Sequence, residues 1–489
     1  MKTFFFNHSR PILLVLLLGM GHINFLSGQN VPSSEIRYLI DHVNVVDVKK
    51  GEVRPDQSIL VFKGIIESVR NSDEVDVNDF KTVIDAQGKY AIPGLWDMHA
   101  HMRGDRMPPF ITTEWMMPLF IANGVTGVRD MTSSCETPDK GPVCLDQMKE
   151  WQHQILEGVL MGPRFLALSS YQLNPPWDQR MTPKRAKELV NDFAEQQVDL
   201  IKTYFRLSPK AFGMIAKEAE KHDIAVGGHI PLRMSVADAS RKGLRSLEHA
   251  RDLLFDGFFN AKDFRKSARS QDPSAEWMHA MVDLYDPERI ADIFEIMVKN
   301  DTWYVPTHVT RRMEAFADDP SFREDTRNQY MPPMLLDAWN ADADCVVALD
   351  STAYGREAYR KFYRKGLEIT KEAFDAGVRI LVGTDGGDSF VYPGFAVHDE
   401  LEELVFAGLT PMEALRAATL DAAEFLGMEG QFGTIEAGRE ADFLLLDANP
   451  VQDIGHTKDI HALIYRGQYL NRDRLDGMLE SIKSLPFGN

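Results

Sequence analysis

The sequence predicts an α/β protein: a (β/α)8 TIM barrel with a small composite β-sandwich domain built from both chain ends. Three observations predict it. Eight short apolar runs recur from Pro93 onward, separated by stretches of helical periodicity. Alternating strand-like segments precede and follow that series. Histidines and an aspartate gather at the C-terminal ends of the runs, where barrels of this type build their sites.

The chain opens on what reads as an export signal over residues 1–28. Lys2 and Arg10 make a basic start, PILLVLLLGMG an apolar core, and Ser27 and Gly28 a small-residue cleavage site. The apolar run is shorter than the roughly 20 residues that span a bilayer. No cysteine follows LSG to carry a lipid. An exported protein is expected, periplasmic or secreted, with no stable membrane insertion after cleavage.

Residues 29–92, with Lys-Gly and Pro-Asp punctuation between alternating runs, should form the N-terminal part of the β domain. The barrel should occupy residues 93–429. Its eight strands are expected at GLWDMHAH, GVTGVRD (124–130), PRFLALSS (163–170), VDLIKTYF (198–205), IAVGGHI (224–230), LRSLEHA (244–250), TWYVPTHV (302–309) and VRILVGTD (378–385). Two inserts, 251–301 and 311–360, should roof the active-site face or decorate the surface. The segment 409–427 reads as one helix, with Thr410 as cap, Pro411 in the first turn, Glu413 completing a capping box and Gly427 ending it. Residues 430–489 return as strands to the β domain.

Composition narrows the partners. Hydrophobic residues at 44% and charged residues at 26% fit a globular chain and disfavour disorder. The net charge of −19 disfavours nucleic acid and anionic lipid surfaces. Of three cysteines, Cys135 and Cys144 could close a small disulfide or remain two free thiols, and Cys345 reads as a buried small hydrophobe.

Six potential metal ligands stand at or near the strand ends: His99 and His101, Lys202, His229, His249 and Asp385. His99 and His101 share a face because a strand alternates with period two. Alone they could be surface histidines. Four histidines and a carboxylate converging from separate strands suit a borderline divalent cation, zinc first. Lys202 is the odd member, since an ammonium cannot coordinate. Burial and nearby cations would lower its pKa. The neutral amine could then take up carbon dioxide as a carbamate and bridge two metals.

These motifs resemble the amidohydrolase superfamily: HAH after PGLWD, the lysine of DLIKTY, the histidines of GGH and LEHA, and VGTD. The tail LTPMEALRAATLDAAEFLG…GTIEAGREADFLLLDANP is similar as well. The Lys202 pattern resembles the binuclear branch that includes zinc-dependent dipeptidases acting on acyl-proline or acyl-arginine bonds. Imidazolonepropionase-like proteins share the tail. The resemblance implies that His99, His101, carboxylated Lys202 and Asp385 hold one metal. It implies that carboxylated Lys202, His229 and His249 hold the second. A hydroxide bridging the pair would attack the substrate, and Asp385 would pass its proton to the departing nitrogen. The resemblance also suggests homo-oligomers, although no interface pattern shows them.

The expected activity is hydrolysis of a C–N bond in a dipeptide or another small N-acyl amino acid. A mononuclear cyclic-amide hydrolase or deaminase would have no use for a carboxylated lysine. A lactonase could use the same centre, and a binding scaffold would be expected to have lost a ligand. No GxSxG elbow or paired Cys–His motif competes. Tyr204, on the face of Lys202, is a candidate oxyanion donor, and His308 a candidate contact to the scissile carbonyl. Asp97 is expected to orient a ligand histidine, Arg129 to pair with Asp130, and His398 to be structural. Arg206 and Arg103 are candidates for a substrate carboxylate.

Overall fold

The computed structural model describes residues 37–102, 113–136, 143–176 and 179–485. The expected signal and Arg103 lie outside the described residues. Both chain ends enter one sheet. β1 (Arg37–Asp47), β2 (Glu52–Phe62) and β3 (Ile65–Asn71) form an antiparallel meander. Its second turn is a two-residue hairpin with Lys63 and Gly64 both left-handed (φ 53° and 79°), which matches the twist of the flanking strands. β4 (Val83–Asp85) and β5 (Tyr90–Pro93) pair with β1 in parallel.

Seven parallel strands follow in two sheets. β6 (Leu95–Ala100), β7 (Val125–Asp130) and β8 (Arg164–Leu168) form one. β9 (Leu200–Thr203), β10 (Ala225–Gly228), β11 (Ser246–Glu248) and β12 (Trp303–Val305) form the other, and a bridge from Ser169 to Leu200 links the two. Each strand lies within an expected run. The eighth run forms no regular strand. Leu381 N–H donates to Tyr304 O (2.9 Å), Met98 N–H to Val382 O (2.8 Å) and Asp385 N–H to His99 O (2.7 Å). Regular pairing stops because the Thr384 amide bonds the Asp97 carboxylate (3.0 Å) and Asp385 turns left-handed at φ 64°.

Both inserts are largely helical. The first carries Asp252–Asp256, Ala261–Ser267, Ala275–Asp283 and Pro287–Lys299; the second carries Pro333–Leu349 and the start of Ala353–Asp375. They meet where the His279 and Tyr354 rings stack at 4.1 Å. The segment 409–427 is two helices, Pro411–Ala417 and Leu420–Phe425, where one was expected. The Thr410–Glu413 capping box is present. The break follows from Trp96 N–H and Val382 N–H taking the carbonyls of Ala418 and Ala417, while the Thr419 hydroxyl bonds back to Leu415 O. Beyond it, β13 (Phe443–Leu446), β14 (Ile460–Tyr465) and β15 (Gln468–Asn471) join the first sheet, β13 lying between β5 and β14. Among the described residues no helix is long and apolar enough to cross a membrane.

Candidate metal centre

The strand ends bring the expected ligands together. His99 is fully buried at the end of β6, with Nε2 3.0 Å from Lys202 Nζ and 3.4 Å from Asp385 Oδ1. His101 Nε2 stands 2.7 Å from the same carboxylate oxygen, and Thr132 Oγ1 lies 3.1 Å from His101 Nδ1. His249 follows β11, with Nδ1 2.8 Å from Thr307 Oγ1 and 3.7 Å from Asp385 Oδ2. The His229 ring, after β10, sits 4.4 Å from that of His249. One ligand atom each from His99, His249 and Asp385 falls within 4.8 Å of the others.

The backbone is bent to achieve this. His249 and Asp385 are left-handed at φ 69° and 64°, a conformation that costs a non-glycine residue about 1–2 kcal/mol. Gly228, just before His229, has φ 119°, and a Cβ there would lie 2.4 Å from Thr203 O. Strain of this kind collects at functional sites.

The electrostatics fit a cation. Burial, and then the Lys202 charge, push His99 down to about 4 and hold His229 well below the ordinary histidine value. Burial, then neighbouring His229, does the same to His249. These rings are neutral near pH 7 and keep a lone pair for a metal. Burial opposes charge on Asp385, but its carboxyl lies well below the usual carboxylate value, with the His101 Nε2 hydrogen bond (2.7 Å) favouring the ionised form. Burial lowers the Lys202 amine to about 8, against the pull of Glu248 and Asp385. Neutral imidazoles beside an anionic oxygen are a donor set that suits a divalent ion of the zinc type.

Glu248, which sequence reasoning passed over, sits directly behind the ligands. Its Oε2 accepts from His99 Nδ1 (2.8 Å) and its Oε1 from Arg129 Nη2 (2.9 Å). A carboxylate only accepts, so the His99 proton rests on Nδ1 and Nε2 faces the site. Burial works against the Glu248 charge, yet Arg129 and His99 hold its pKa near 2. The signal was an acid inside the short strand of LRSLEHA. Arg129 therefore pairs with Glu248 and not with Asp130, which accepts from Met102 N–H, Thr132 N–H and Ser133 Oγ. Asp97 acts on backbone: it accepts from His99 N–H (3.1 Å) and from Thr384 N–H and Oγ1. His398 is structural, bonded to Thr457 Oγ1 and Asn123 O.

A cavity of about 470 Å3 opens over His101, His229, His249 and Asp385, within the usual range for small-molecule sites. Tyr204 lines it, its ring 4.1 Å from that of His229, and burial raises its phenol, keeping it a neutral donor. Two expected residues are elsewhere. His308 is fully buried at the start of the helix His308–Phe316, with Nε2 2.8 Å from Thr370 Oγ1. Thr307 turns left-handed (φ 47°) and starts that helix, which carries the ring away from the cavity. The Arg206 guanidinium lies over the Phe205 ring (5.6 Å), off the cavity wall, whose arginines among the described residues are Arg251 and Arg311. Cys345 is exposed on that wall and is not a core residue. Cys135 and Cys144 form a disulfide.

Ionisable ligands at the C-terminal ends of parallel strands, open to a substrate-sized cavity, place the chain among metal-dependent enzymes of the TIM-barrel type. Its residues 90–470 match the amidohydrolase family, and the chain belongs to that family. It is 38% identical over 105 residues to dihydroorotase of Carboxydothermus hydrogenoformans, covering 22% of this chain and 24% of that protein. It is 61% identical over 41 residues to imidazolonepropionase of Rubrobacter xylanophilus, covering 8% and 10%. The chain thus aligns with a quarter or less of the length of these relatives. Its fold is similar to a solved Xaa-Pro dipeptidase with methionine bound in the active site: TM-score 0.61, 19% identity, 89% of this chain and 100% of the other. The family match and the donor set support a metal-dependent hydrolase.

Proposed function

We propose that the protein is an exported binuclear hydrolase of amide or peptide bonds that acts on dipeptides or N-acyl amino acids. The observation that carries the reading is Lys202. Its amine is buried, lowered to about 8, and 3.0 Å from the metal-facing nitrogen of His99. A neutral amine there attacks carbon dioxide and releases a proton, leaving a carbamate whose two oxygens share one negative charge. His99, His101, carboxylated Lys202 and Asp385 then hold one cation, and carboxylated Lys202, His229 and His249 the other. Two divalent ions, zinc in this reading, supply Lewis acidity: they acidify water and polarise a carbonyl. Asp385 takes a proton from the attacking water and delivers it to the departing nitrogen. The Tyr204 phenol donates to the developing oxyanion. The name of the Xaa-Pro dipeptidase that shares the fold supports a dipeptide substrate.

The same reading treats the eight runs as one closed barrel over residues 93–429. The bonds from Leu381 to Tyr304 and from Met98 to Val382 support closure. The sheet of both chain ends is then a separate β domain, residues 29–92 with 430–489. Residues 1–28 are a cleaved signal, and the Cys135–Cys144 disulfide supports an oxidising compartment such as the periplasm.

Amine release from a library of dipeptides and N-acyl amino acids tests the activity, with protein purified in zinc and bicarbonate and its metal counted. The expected result is two metals per chain and turnover, both lost in Lys202→Ala, with activity down by roughly a thousandfold or more. Two metals and full turnover in that variant would overturn the binuclear reading. Silence from wild-type protein carrying two metals would overturn the substrate class.

A further inference from the structure

Two residues beyond His249 the chain puts a cation into the cavity. Arg251 is 4% exposed and lines the same wall as Tyr204, His229 and His249. Its Nε and Nη1 are buried and make no hydrogen bond among the described residues. The nearest carboxylates stand at ion-pair distance: Asp272 Oδ1 is 3.5 Å from Nη1 and Glu314 Oε1 3.8 Å from Nη2. Glu314 is already engaged by Arg311, through a hydrogen bond from Arg311 Nη1 to its other oxygen. Removing a guanidinium from water without filling its N–H positions is costly, and buried polar groups left open in this way call for a ligand. Its fork matches a carboxylate.

Position decides which carboxylate. Arg251 follows His249 by two residues and shares the cavity wall with His249, His229 and Asp385, so it stands at the ligand end of the cavity. A carboxylate seated on it lies next to the bond being broken, as the α-carboxylate of a leaving amino acid does. We propose that Arg251 anchors the α-carboxylate of the C-terminal residue of the substrate and sets the preference for free acids. Asp272 and Glu314 hold the guanidinium in place from the inserts, too far away to fill its open N–H groups. The proposal rests on the hydrolase reading above, and its test separates the two.

Dipeptides and N-acetyl amino acids are compared with their C-terminal amides on zinc-loaded protein. Wild type is expected to favour the acids by roughly 10- to 100-fold in kcat/KM. Arg251→Met should bring that ratio near one, and Arg251→Lys should restore part of it. An unchanged ratio in Arg251→Met, including a parallel fall for acids and amides, overturns the proposal. Calorimetry supplies a second readout that needs no variant: free amino acids should bind wild type at least tenfold tighter than amino acid amides. Equal binding, or no binding of any amino acid, overturns the anchor. Acid-selective binding that Arg251→Met removes, from protein that cleaves no dipeptide or acyl amino acid, leaves the anchor standing and overturns the hydrolase reading.

Discussion

A buried imidazole binds a cation only if it is neutral and presents a lone pair on the facing nitrogen. In His99 both conditions come from outside the ring: burial removes the charge, and Glu248 accepts the hydrogen bond of Nδ1–H, which leaves the lone pair on Nε2. Glu248→Gln weakens that hold and leaves Arg129 without its carboxylate, so zinc affinity should fall roughly 10- to 100-fold in a chelator competition. His398 shows the same burial without a metal role, its pKa lowered to about 4 by desolvation. The unfolded chain binds a proton there below its ordinary value of 6.5 and the folded chain does not until about pH 4. Stability is therefore lost as pH falls through that window, by up to roughly 3 kcal/mol from this residue. Urea titrations from pH 7 to pH 4 should show the loss, with a shallower slope in His398→Asn. The ligand histidines were legible because histidine at the end of an apolar strand is uncommon. Glu248 and Arg251 were not, because a buried charge and a solvated one look alike until their partners, contributed from distant segments, are in place.

At the scale of elements, close approach replaces regular pairing. A Cβ on Gly383 would lie 2.5 Å from Val305 Cγ1, 2.7 Å from His99 Cβ and 2.9 Å from His99 N. Gly383→Ala must push the eighth run away from β6, at a cost of about 1–3 kcal/mol. It should also reduce the zinc bound per chain, measured by elemental analysis of protein that still folds. That run read as a strand by its apolar pattern, and its place beside β6 and β12 follows the pattern. Its irregular pairing did not show, because it depends on where Asp97 sends its oxygens. The capping box at Thr410 was plain from four residues, being local. The break after Ala417 was not, since its cause is two amides far away in sequence, one in β6 and one in the eighth run. His308 was misplaced for a related reason: the run TWYVPTHV ends as a strand at Val305, and the last residues belong to a helix.

On the scale of the whole molecule, the sheet that unites the chain ends ties its stability to the last strands. β13 hydrogen-bonds to β5 from Phe443↔Pro93 to Leu446↔Tyr90, immediately before β6 delivers His99. A chain ending at residue 442 leaves that edge bare and removes Leu444, Leu463 and Leu470 from the core. It should yield no soluble, protease-resistant protein, judged by limited proteolysis beside the full chain. The alternation of strands and helices made the barrel type visible in the sequence, whereas the strand partners across the ends follow no local pattern. The arrangement also has a consequence in time. At the ordinary pace of synthesis, β5 leaves the ribosome roughly 20–70 s before its partner about 350 residues later. Through that interval an apolar strand edge waits without its neighbour, so the first strands made are among the last to be finished.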